Sequence, residues 1–201
     1  MAASTTSTTL LGLLQSRIKA TGFVSTAAIV LLGTLFIALC AKIQVPVWPV
    51  PVTLQSFAVA AIAAAFGLRI GVATVGLYLL EGALGLPVFA TGGGLAYIVG
   101  PTGGFLIGFL ALAAIVGRAA DRGASRRPLL LLSAMLVGDA ALLLFGFAWL
   151  LVHSASASWI DQSNIIRSAF AGAIQPFVVW DILKMALASL TVAGAWTLAR
   201  R

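Results

Sequence analysis

The chain has 201 residues, of which 61% are hydrophobic and 8% are charged, and its mean hydropathy is +1.12. Soluble domains carry about 25% charged residues, because their surface must be polar enough for water. The composition therefore excludes a soluble fold and predicts a single all-α membrane domain over residues 1–201. The net charge of +7 is better explained by membrane topology than by nucleic-acid binding, since basic residues collect in cytoplasmic loops.

Six apolar segments follow one another along the chain when about 20 apolar residues are taken as the length that crosses a bilayer. A tail over residues 1–21 precedes them and is predicted to be cytoplasmic. The second segment is short, and almost no linker separates it from the third, which predicts a hairpin with a very tight turn. The predicted spans cover about residues 22–42, 54–67, 69–86, 104–120, 129–152 and 169–199.

The basic residues predict the orientation of this six-span arrangement. Nine of the 12 Lys and Arg residues fall on one of its two sides, and that side also carries both chain termini: Arg17, Lys19, Arg69, Arg118, Arg122, Arg126, Arg127, Arg200 and Arg201. The positive-inside rule makes that side cytoplasmic. An odd number of spans would scatter these residues over both sides, so their distribution supports six.

Two linkers on the opposite side have unusual compositions. Residues 44–53 contain Pro46, Pro49 and Pro51, which exclude regular helix and favour extended backbone. Residues 85–104 are apolar and rich in glycine, and the run that includes Gly93 lets backbone approach a ligand closely. Non-helical backbone near membrane depth occurs where protein buries it or where it lines a cavity. We therefore expect both linkers to fold over the outer end of the bundle as a lid or pocket wall.

Ionisable side chains lie inside the apolar segments, where a central charge costs roughly 2.5–3.5 kcal/mol and usually marks a site. Asp181 and Lys184 are spaced i, i+3, so on a helix they share one face and offer an acceptor and a donor to a small polar ligand. Asp139 lies deep in the fifth span, where we expect a helix–helix hydrogen bond. Glu81 lies near the outer end of the third span, where it reaches the pocket or pairs with Lys42.

The sequence offers little for catalysis or metal binding. The single cysteine, Cys40, excludes an internal disulfide framework and an all-cysteine metal site. His153 is the one histidine of the chain, and no paired nucleophile or nearby acid accompanies it. The glycine run is not followed by the Gly-Lys-Ser/Thr of a phosphate loop. We therefore predict no enzyme activity, no catalytic residues, no metal and no cofactor.

Three motifs, found in this order on six spans, resemble the BioY family. The first is Ala41-Lys-Ile-Gln-Val-Pro-Val-Trp-Pro-Val-Pro-Val-Thr-Leu-Gln55. The second is Gly85-Leu-Pro-Val-Phe-Ala90 followed by Gly100-Pro-Thr-Gly-Gly-Phe-Leu-Ile-Gly108, and the third is Asp181-x-x-Lys184. BioY proteins are the biotin-binding S components of energy-coupling-factor (ECF) vitamin transporters. The resemblance covers about residues 23–199.

This resemblance implies a six-helix protein of the bacterial cytoplasmic (inner) membrane with one biotin site near the extracellular face, covered by loops. It also implies association with a transmembrane T component and with ABC-type ATPases, which hydrolyse ATP in place of this chain. Contact with membrane lipid and formation of a homo-oligomer belong to the same expectation. The first helix departs from the family's Ala-x-x-x-Ala docking pattern and offers only looser pairs such as Thr34 and Ala38.

Biotin presents a ureido ring with two N–H donors and one carbonyl acceptor. Asp181 can accept from the N–H groups and Lys184 can donate to the carbonyl oxygen. The candidate apolar walls for the remainder of the ligand are Trp48, Val50, Phe89 and Tyr97. Thr53 is a candidate partner for the biotin carboxylate, and the further candidate contacts are Gln55, Glu81 and Gly93.

Three other functions stay open at this point. The first is an S component for another small vitamin. The Asp/Lys pair suits any cyclic amide or urea, so only the resemblance of the loops favours biotin. A proton-coupled carrier would place Glu81 and Asp139 in a relay. An intramembrane enzyme would use Asp139, Asp181 or Lys184 as acid or base, but the lone histidine and the lack of metal ligands weigh against it.

Overall fold

The computed structural model describes residues 23–156 and 160–199, so the predicted tail over residues 1–21 lies outside the described residues. The described chain is mostly helical, with one short two-stranded ribbon. In chain order its elements are α1 (Phe23–Lys42), β1 (Gln44–Val45), β2 (Val52–Thr53), α2 (Gln55–Phe66), α3 (Leu68–Ala83), α4 (Leu95–Val99), α5 (Gly103–Asp121), α6 (Pro128–Val152), α7 (Ile165–Ala173) and α8 (Val178–Ala199).

Several helical stretches are long and apolar enough to cross a membrane, so the chain is an integral membrane protein. Within the described residues they are Val24–Lys42, Gly103–Asp121, Pro128–Val152 and Ile165–Ala199. α2 is apolar but has only 12 residues, which extend about 18 Å at 1.5 Å per residue, less than the roughly 30 Å of hydrocarbon in a bilayer. Gly67, with a φ of 85°, forms the whole turn between α2 and α3, as the missing linker predicts.

The last apolar stretch contains two helices, whereas the sequence pattern predicts one continuous span over residues 169–199. Residues 174–177 separate α7 from α8. Pro176 lies in this gap, where its ring and its missing N–H prevent a continuous helix, and the N–H groups of the two residues after α7 both donate to the Phe170 carbonyl. The break places Asp181 in the first turn of α8 instead of in the middle of a long helix.

Small residues allow the helices to pack closely. α5 and α6 form the most extensive helix pair, and a Cβ at Gly108 of α5 would lie 2.9 Å from the Leu142 Cα of α6. Glycine at that position therefore permits contact between the two backbones. α2 packs against both α5 and α8, which brings the start of α2 to the helix that carries Asp181.

Two loops cover one end of the bundle, which we call the loop end. The first loop, residues 43–54, contains the antiparallel ribbon β1–β2, in which Gln44 pairs with Thr53. Its extended backbone agrees with the three prolines in this segment. The second loop, residues 84–102, contains the single short helix α4. Hydrogen bonds from Lys42 to the carbonyl oxygens of Pro87 and Phe89 hold the second loop at the same end of the bundle as the first.

The opposite end of the bundle carries residues 122–127, the arginine-rich linker between α5 and α6, and we call it the arginine end. The Ser125 hydroxyl donates to the Ala64 carbonyl at 2.7 Å. The Arg126 guanidinium lies 5.0 Å from the centre of the Trp196 ring, within the range of a cation–π interaction. The linker is therefore held against both α2 and α8.

Candidate ligand-binding site

Asp181 and Lys184 form an ion pair near the start of α8. Both are buried, with 2% and 8% of their surfaces exposed. The Ser56 hydroxyl donates to Asp181 Oδ1 at 3.2 Å, and Lys184 Nζ donates to the Thr53 carbonyl at 2.9 Å. A buried charge is costly unless it is paired and hydrogen-bonded, and here each charge has an opposite charge and a further polar partner. The pair is thus anchored to α2 and to the first loop.

A cavity of about 40 Å³ lies between this pair and the two loops. Its walls are mostly apolar, and the charged pair provides a small number of fixed polar groups, which is the usual composition of a small-molecule site. The candidate residues that line it are Val50, Thr53, Gln55, Tyr97, Asp181 and Lys184. These come from both loops and from two helices that are distant in sequence, so the fold brings most of the predicted site together.

An open groove of about 420 Å³ adjoins the cavity on the loop side. It shares the lining residues Pro51, Tyr97 and Thr102 with the cavity. Trp48 is 75% exposed and lines this groove instead of the cavity. Ligand pockets usually measure about 300–1,000 Å³, whereas the cavity beside the charged pair measures about 40 Å³. A ring system therefore fits there only if the first or second loop shifts outward.

Glu81 lies outside the cavity lining. Its Oε1 accepts a hydrogen bond from the Thr34 hydroxyl at 3.1 Å, which joins α3 to α1. Lys42, the partner that the sequence suggests for Glu81, instead donates to the carbonyl oxygens of Pro87 and Phe89 at 2.8 and 2.6 Å. These two bonds tie the end of α1 to the second loop.

Phe89 and Gly93 also lie outside the cavity lining, and both are packed within or against the second loop. Phe89 is fully buried, and its ring stacks on the ring of Tyr97 with 4.9 Å between centroids, so it supports a cavity wall from behind. A Cβ at Gly82 would overlap the Phe89 ring, and a Cβ at Gly93 would overlap the Leu86 carbonyl. Both glycines therefore permit close approach inside the protein.

A chain of hydrogen bonds connects the two loops through Gln55. The Thr53 hydroxyl donates to Gln55 Oε1 at 2.9 Å, and Gln55 Nε2 donates to the Tyr78 hydroxyl oxygen at 2.6 Å. The Tyr78 hydroxyl donates in turn to the Val88 carbonyl at 3.0 Å. The buried polar groups of this chain are satisfied by one another, and the chain braces both loops over the cavity.

The cavity is also lined by residues that were not among the candidates from the sequence, such as Ser56, Thr102, Phe105, Phe109, Leu142 and Phe177. Phe177 precedes Asp181 by four positions and Lys184 by seven. Residues at these spacings share one face of a helix, so the sequence contains a signal that could have identified Phe177. Phe105 stacks on Phe177 with 5.2 Å between ring centroids. Leu142 joins the site only through the packing of α6 against α5, so no local signal in the sequence points to it.

Asp139 is buried in α6, one turn before the cavity-lining Leu142. We expected a helix–helix hydrogen bond at this position, but Asp139 Oδ1 has no hydrogen-bond partner among the described residues. The carboxyl group interacts electrostatically with Asp181 and Lys184. A second buried acid therefore lies close to the charged pair. Within residues 23–156 and 160–199, no group of three His, Cys, Asp or Glu side chains is placed to hold a metal ion.

Comparison with known proteins identifies relatives of this chain. The family model described as the BioY family matches residues 7–201. The biotin transporter BioY of Thermotoga maritima is 36% identical over 168 residues, which cover 78% of this chain and 87% of that protein. The probable biotin transporter BioY of Pyrococcus horikoshii is 37% identical over 161 residues, which cover 78% of this chain and 89% of that protein.

The fold is shared with a solved structure. A crystal structure of the S-component for biotin from an ECF-type ABC transporter superposes with a TM-score of 0.72 at 24% sequence identity. The superposition covers 87% of this chain and 92% of that chain. The family model, the curated relatives and the fold all match over most of the sequence, and the chain belongs to the BioY family.

Proposed function

We propose that this chain is the biotin-binding membrane subunit of a vitamin uptake system. The observation that carries the proposal is the buried Asp181–Lys184 ion pair beside a mostly apolar cavity. Membership of the BioY family and the relatives named as biotin transporters support biotin as the ligand. Biotin is cargo in this proposal, and the chain carries out no chemical reaction on it.

The charged pair complements the ureido ring of biotin. Asp181 uses Oδ1 for its contacts with Ser56 and Lys184, which leaves Oδ2 to accept from a ureido N–H. The ammonium group of Lys184 has three N–H bonds. One is directed to Asp181 and one to the Thr53 carbonyl, which leaves one for the ureido carbonyl. Such charge-assisted bonds are roughly twice as strong as neutral ones.

The apolar parts of biotin match the remaining walls. The stacked rings of Phe105 and Phe177 suit the thiophane ring, and the valeryl chain then extends into the open groove. Thr53 was the candidate partner for the carboxylate, but its carbonyl and hydroxyl contact Lys184 and Gln55, and these contacts favour the ureido end of the ligand for this residue. Thr102 lines both the cavity and the groove and is better placed for the carboxylate.

The proposal includes six membrane spans, with both termini in the bacterial cytoplasm. Support comes from the arginines of residues 118–127, which gather at the arginine end, whereas the cavity lies at the loop end. If basic residues face the cytoplasm, the site opens outward and captures biotin from outside the cell. Energy then comes from a T component and ABC-type ATPases, since the glycine run of this sequence lacks the residues of a phosphate loop.

Calorimetric titration of the purified, detergent-solubilised chain tests this function. We expect tight one-to-one binding of biotin and no binding of thiamine or riboflavin under the same conditions. Tight binding of another vitamin in place of biotin would support an S component with a different ligand. Absence of binding by a chain that still unfolds cooperatively would overturn the proposal.

Asp139 favours a second candidate function, a proton-coupled carrier, because its buried carboxyl oxygen has no hydrogen-bond partner among the described residues. Buried carboxyl groups in membrane helices often belong to proton relays. Uptake of labelled biotin in cells separates the two functions. Uptake that stops on ATP depletion but survives loss of the proton gradient supports the S component, and the reverse result supports the carrier.

A further inference from the structure

A second groove lies on the surface of the bundle at the arginine end, between the last turns of α5 and the first turns of α6. Its volume is about 400 Å³. Small side chains from both helices, Ala119, Ser133 and Ala134, leave this space open, while Ile115 and Val137 add apolar wall. We call it the arginine groove, because arginine side chains border it and it lies at the opposite end of the bundle from the biotin site.

Arg118, in the last turn of α5, and Arg122, the residue that directly follows the helix, both line this groove. They are four positions apart, which is close to one helical turn, and both are exposed. Asp121 lies between them in the sequence, but its Oδ2 accepts a hydrogen bond from the Leu68 N–H at 3.2 Å. The groove therefore combines apolar walls with two guanidinium groups at one end.

The position of these arginines is fixed by the fold. The linker that follows them is held by the Ser125 hydrogen bond to Ala64 and by the stacking of Arg126 on Trp196. α5 and α6 are also in backbone contact further along, where Gly108 meets Leu142. The groove is thus bordered by two helices whose separation is set by close packing.

The geometry points to an anionic phospholipid as the occupant of the arginine groove, with its phosphate at Arg118 and Arg122 and an acyl chain along the apolar walls. Leu130 and Val137 on the groove are 49% and 60% exposed, so this face of the bundle meets hydrocarbon. Guanidinium groups bind phosphate oxygens in a bidentate manner. Basic pockets between membrane helices on the cytoplasmic side bind anionic lipid headgroups.

Charge and shape favour a lipid over the other occupants. A free phosphate ion would use the arginines and leave the apolar walls uncovered. A helix from a partner protein would cover the walls, but it would need acidic residues at a matching depth to neutralise the arginines. An anionic lipid supplies both parts in one molecule. This inference does not depend on biotin being the ligand at the loop end.

Native mass spectrometry of the full chain tests the inference. The purified protein is incubated with an equimolar mixture of phosphatidylglycerol and phosphatidylcholine, and the retained lipids are counted. We expect one phosphatidylglycerol per chain to be retained in preference. Arg118→Gln with Arg122→Gln should weaken that retention about fivefold per arginine, and Ala134→Leu, which fills the groove without changing its charge, should also weaken it.

The matched control is Arg69→Gln with Arg127→Gln, which removes the same charge from exposed positions at the arginine end and should leave the preference unchanged. An equal loss in this control would overturn the inference, because the effect would then be diffuse surface charge. Unchanged retention by Ala134→Leu would also overturn it, as would competition by inorganic phosphate at millimolar concentration. Co-purification of a membrane partner that Ala134→Leu abolishes, without any lipid preference, would assign the groove to that partner.

Discussion

At the scale of single residues, the buried Asp181–Lys184 pair is hard to explain by stability. Replacement of a buried ion pair by well-packed apolar residues is often neutral or stabilising by 1–4 kcal/mol, whereas loss of one partner costs about 3–5 kcal/mol. Stability alone therefore gives little reason for the pair, and both charges line a cavity. Their presence in an apolar stretch is also why the sequence alone identifies them.

The same argument predicts how stability and binding separate. The double change Asp181→Leu with Lys184→Met should leave thermal stability in detergent unchanged or raised, because neither charge of the pair is left buried without the other. Asp181→Leu alone and Lys184→Met alone should each lower the free energy of unfolding by several kcal/mol. Thermal unfolding of the three variants measures this. Equal destabilisation by the double and single changes would show that the pair holds the fold together.

A ligand with altered charge tests the role of Lys184. 2-Iminobiotin has an imine nitrogen in place of the ureido carbonyl oxygen, so its ring carries a guanidine that is cationic at neutral pH and should be repelled by the ammonium group. We expect the chain to bind it about 100-fold more weakly than biotin, since like charges at short range cost several kcal/mol at low dielectric. In Lys184→Met the difference between the two ligands should narrow. If the ratio of the two affinities is the same in Lys184→Met as in the wild type, Lys184 does not contact the ureido carbonyl.

Other residues of the site are not accessible from the sequence. Ser56 and Leu142 reach the cavity only because α2, α5, α6 and α8 pack together. Phe89 and Glu81 were reasonable candidates by position, but the first supports Tyr97 from behind and the second bonds to Thr34. Which neighbour each of these side chains contacts depends on how distant segments pack together, and hydropathy does not encode that packing.

At the scale of secondary-structure elements, the apolar runs predict most of the helices because membrane spans need long apolar segments. The break between α7 and α8 does not stand out in hydropathy, since Ile174, Phe177 and Val178 keep the segment around Pro176 mostly apolar. The structure of the second loop was also not predictable in detail. Its shape depends on Lys42, which donates to two carbonyl groups of that loop, and on the ring of Phe89, which fills the space beside Gly82.

The close approach of Gly82 in α3 to the Phe89 ring predicts the effect of a larger side chain at position 82. Gly82→Val should push the Phe89 ring out of its site, remove the support of Tyr97, and weaken biotin binding at least tenfold, since overpacking costs typically 1–3 kcal/mol. Gly76→Val in the same helix is the control, because a Cβ there meets no atom within 4 Å. Equal affinities for the two variants would show that Phe89 does not shape the site.

At the scale of the whole molecule, the cavity and the arginine-rich linker lie at opposite ends. The candidate site with Asp181 and Lys184 is at the loop end, so the orientation in the membrane decides from which side a ligand reaches it. The sequence predicts this orientation from basic residues alone. The short length of α2 makes direct measurement of the topology worthwhile.

Cysteine labelling measures that topology, because the chain has one cysteine, Cys40, and it is buried. In a Cys40→Ala background, an impermeant maleimide applied to intact cells should label Gln44→Cys in the first loop. It should also label Ser163→Cys in the linker between α6 and α7, which follows the end of α6 that is opposite the arginine end. Arg127→Cys at the arginine end should be labelled only after the membrane is made permeable. All three positions are exposed. Labelling of Arg127→Cys in intact cells would invert the proposed orientation.

The most direct measurement is calorimetric titration of biotin into the wild-type chain, Asp181→Asn and Asp161→Asn side by side. Asp161 is an exposed acid outside the cavity lining, so it controls for the loss of one negative charge. We expect Asp181→Asn to bind biotin about 100-fold more weakly than the wild type, because the ammonium of Lys184 is left buried without its counter-charge, and Asp161→Asn to bind normally. Equal biotin affinity in all three proteins would contradict the assignment of the cavity at Asp181 and Lys184 as the biotin site.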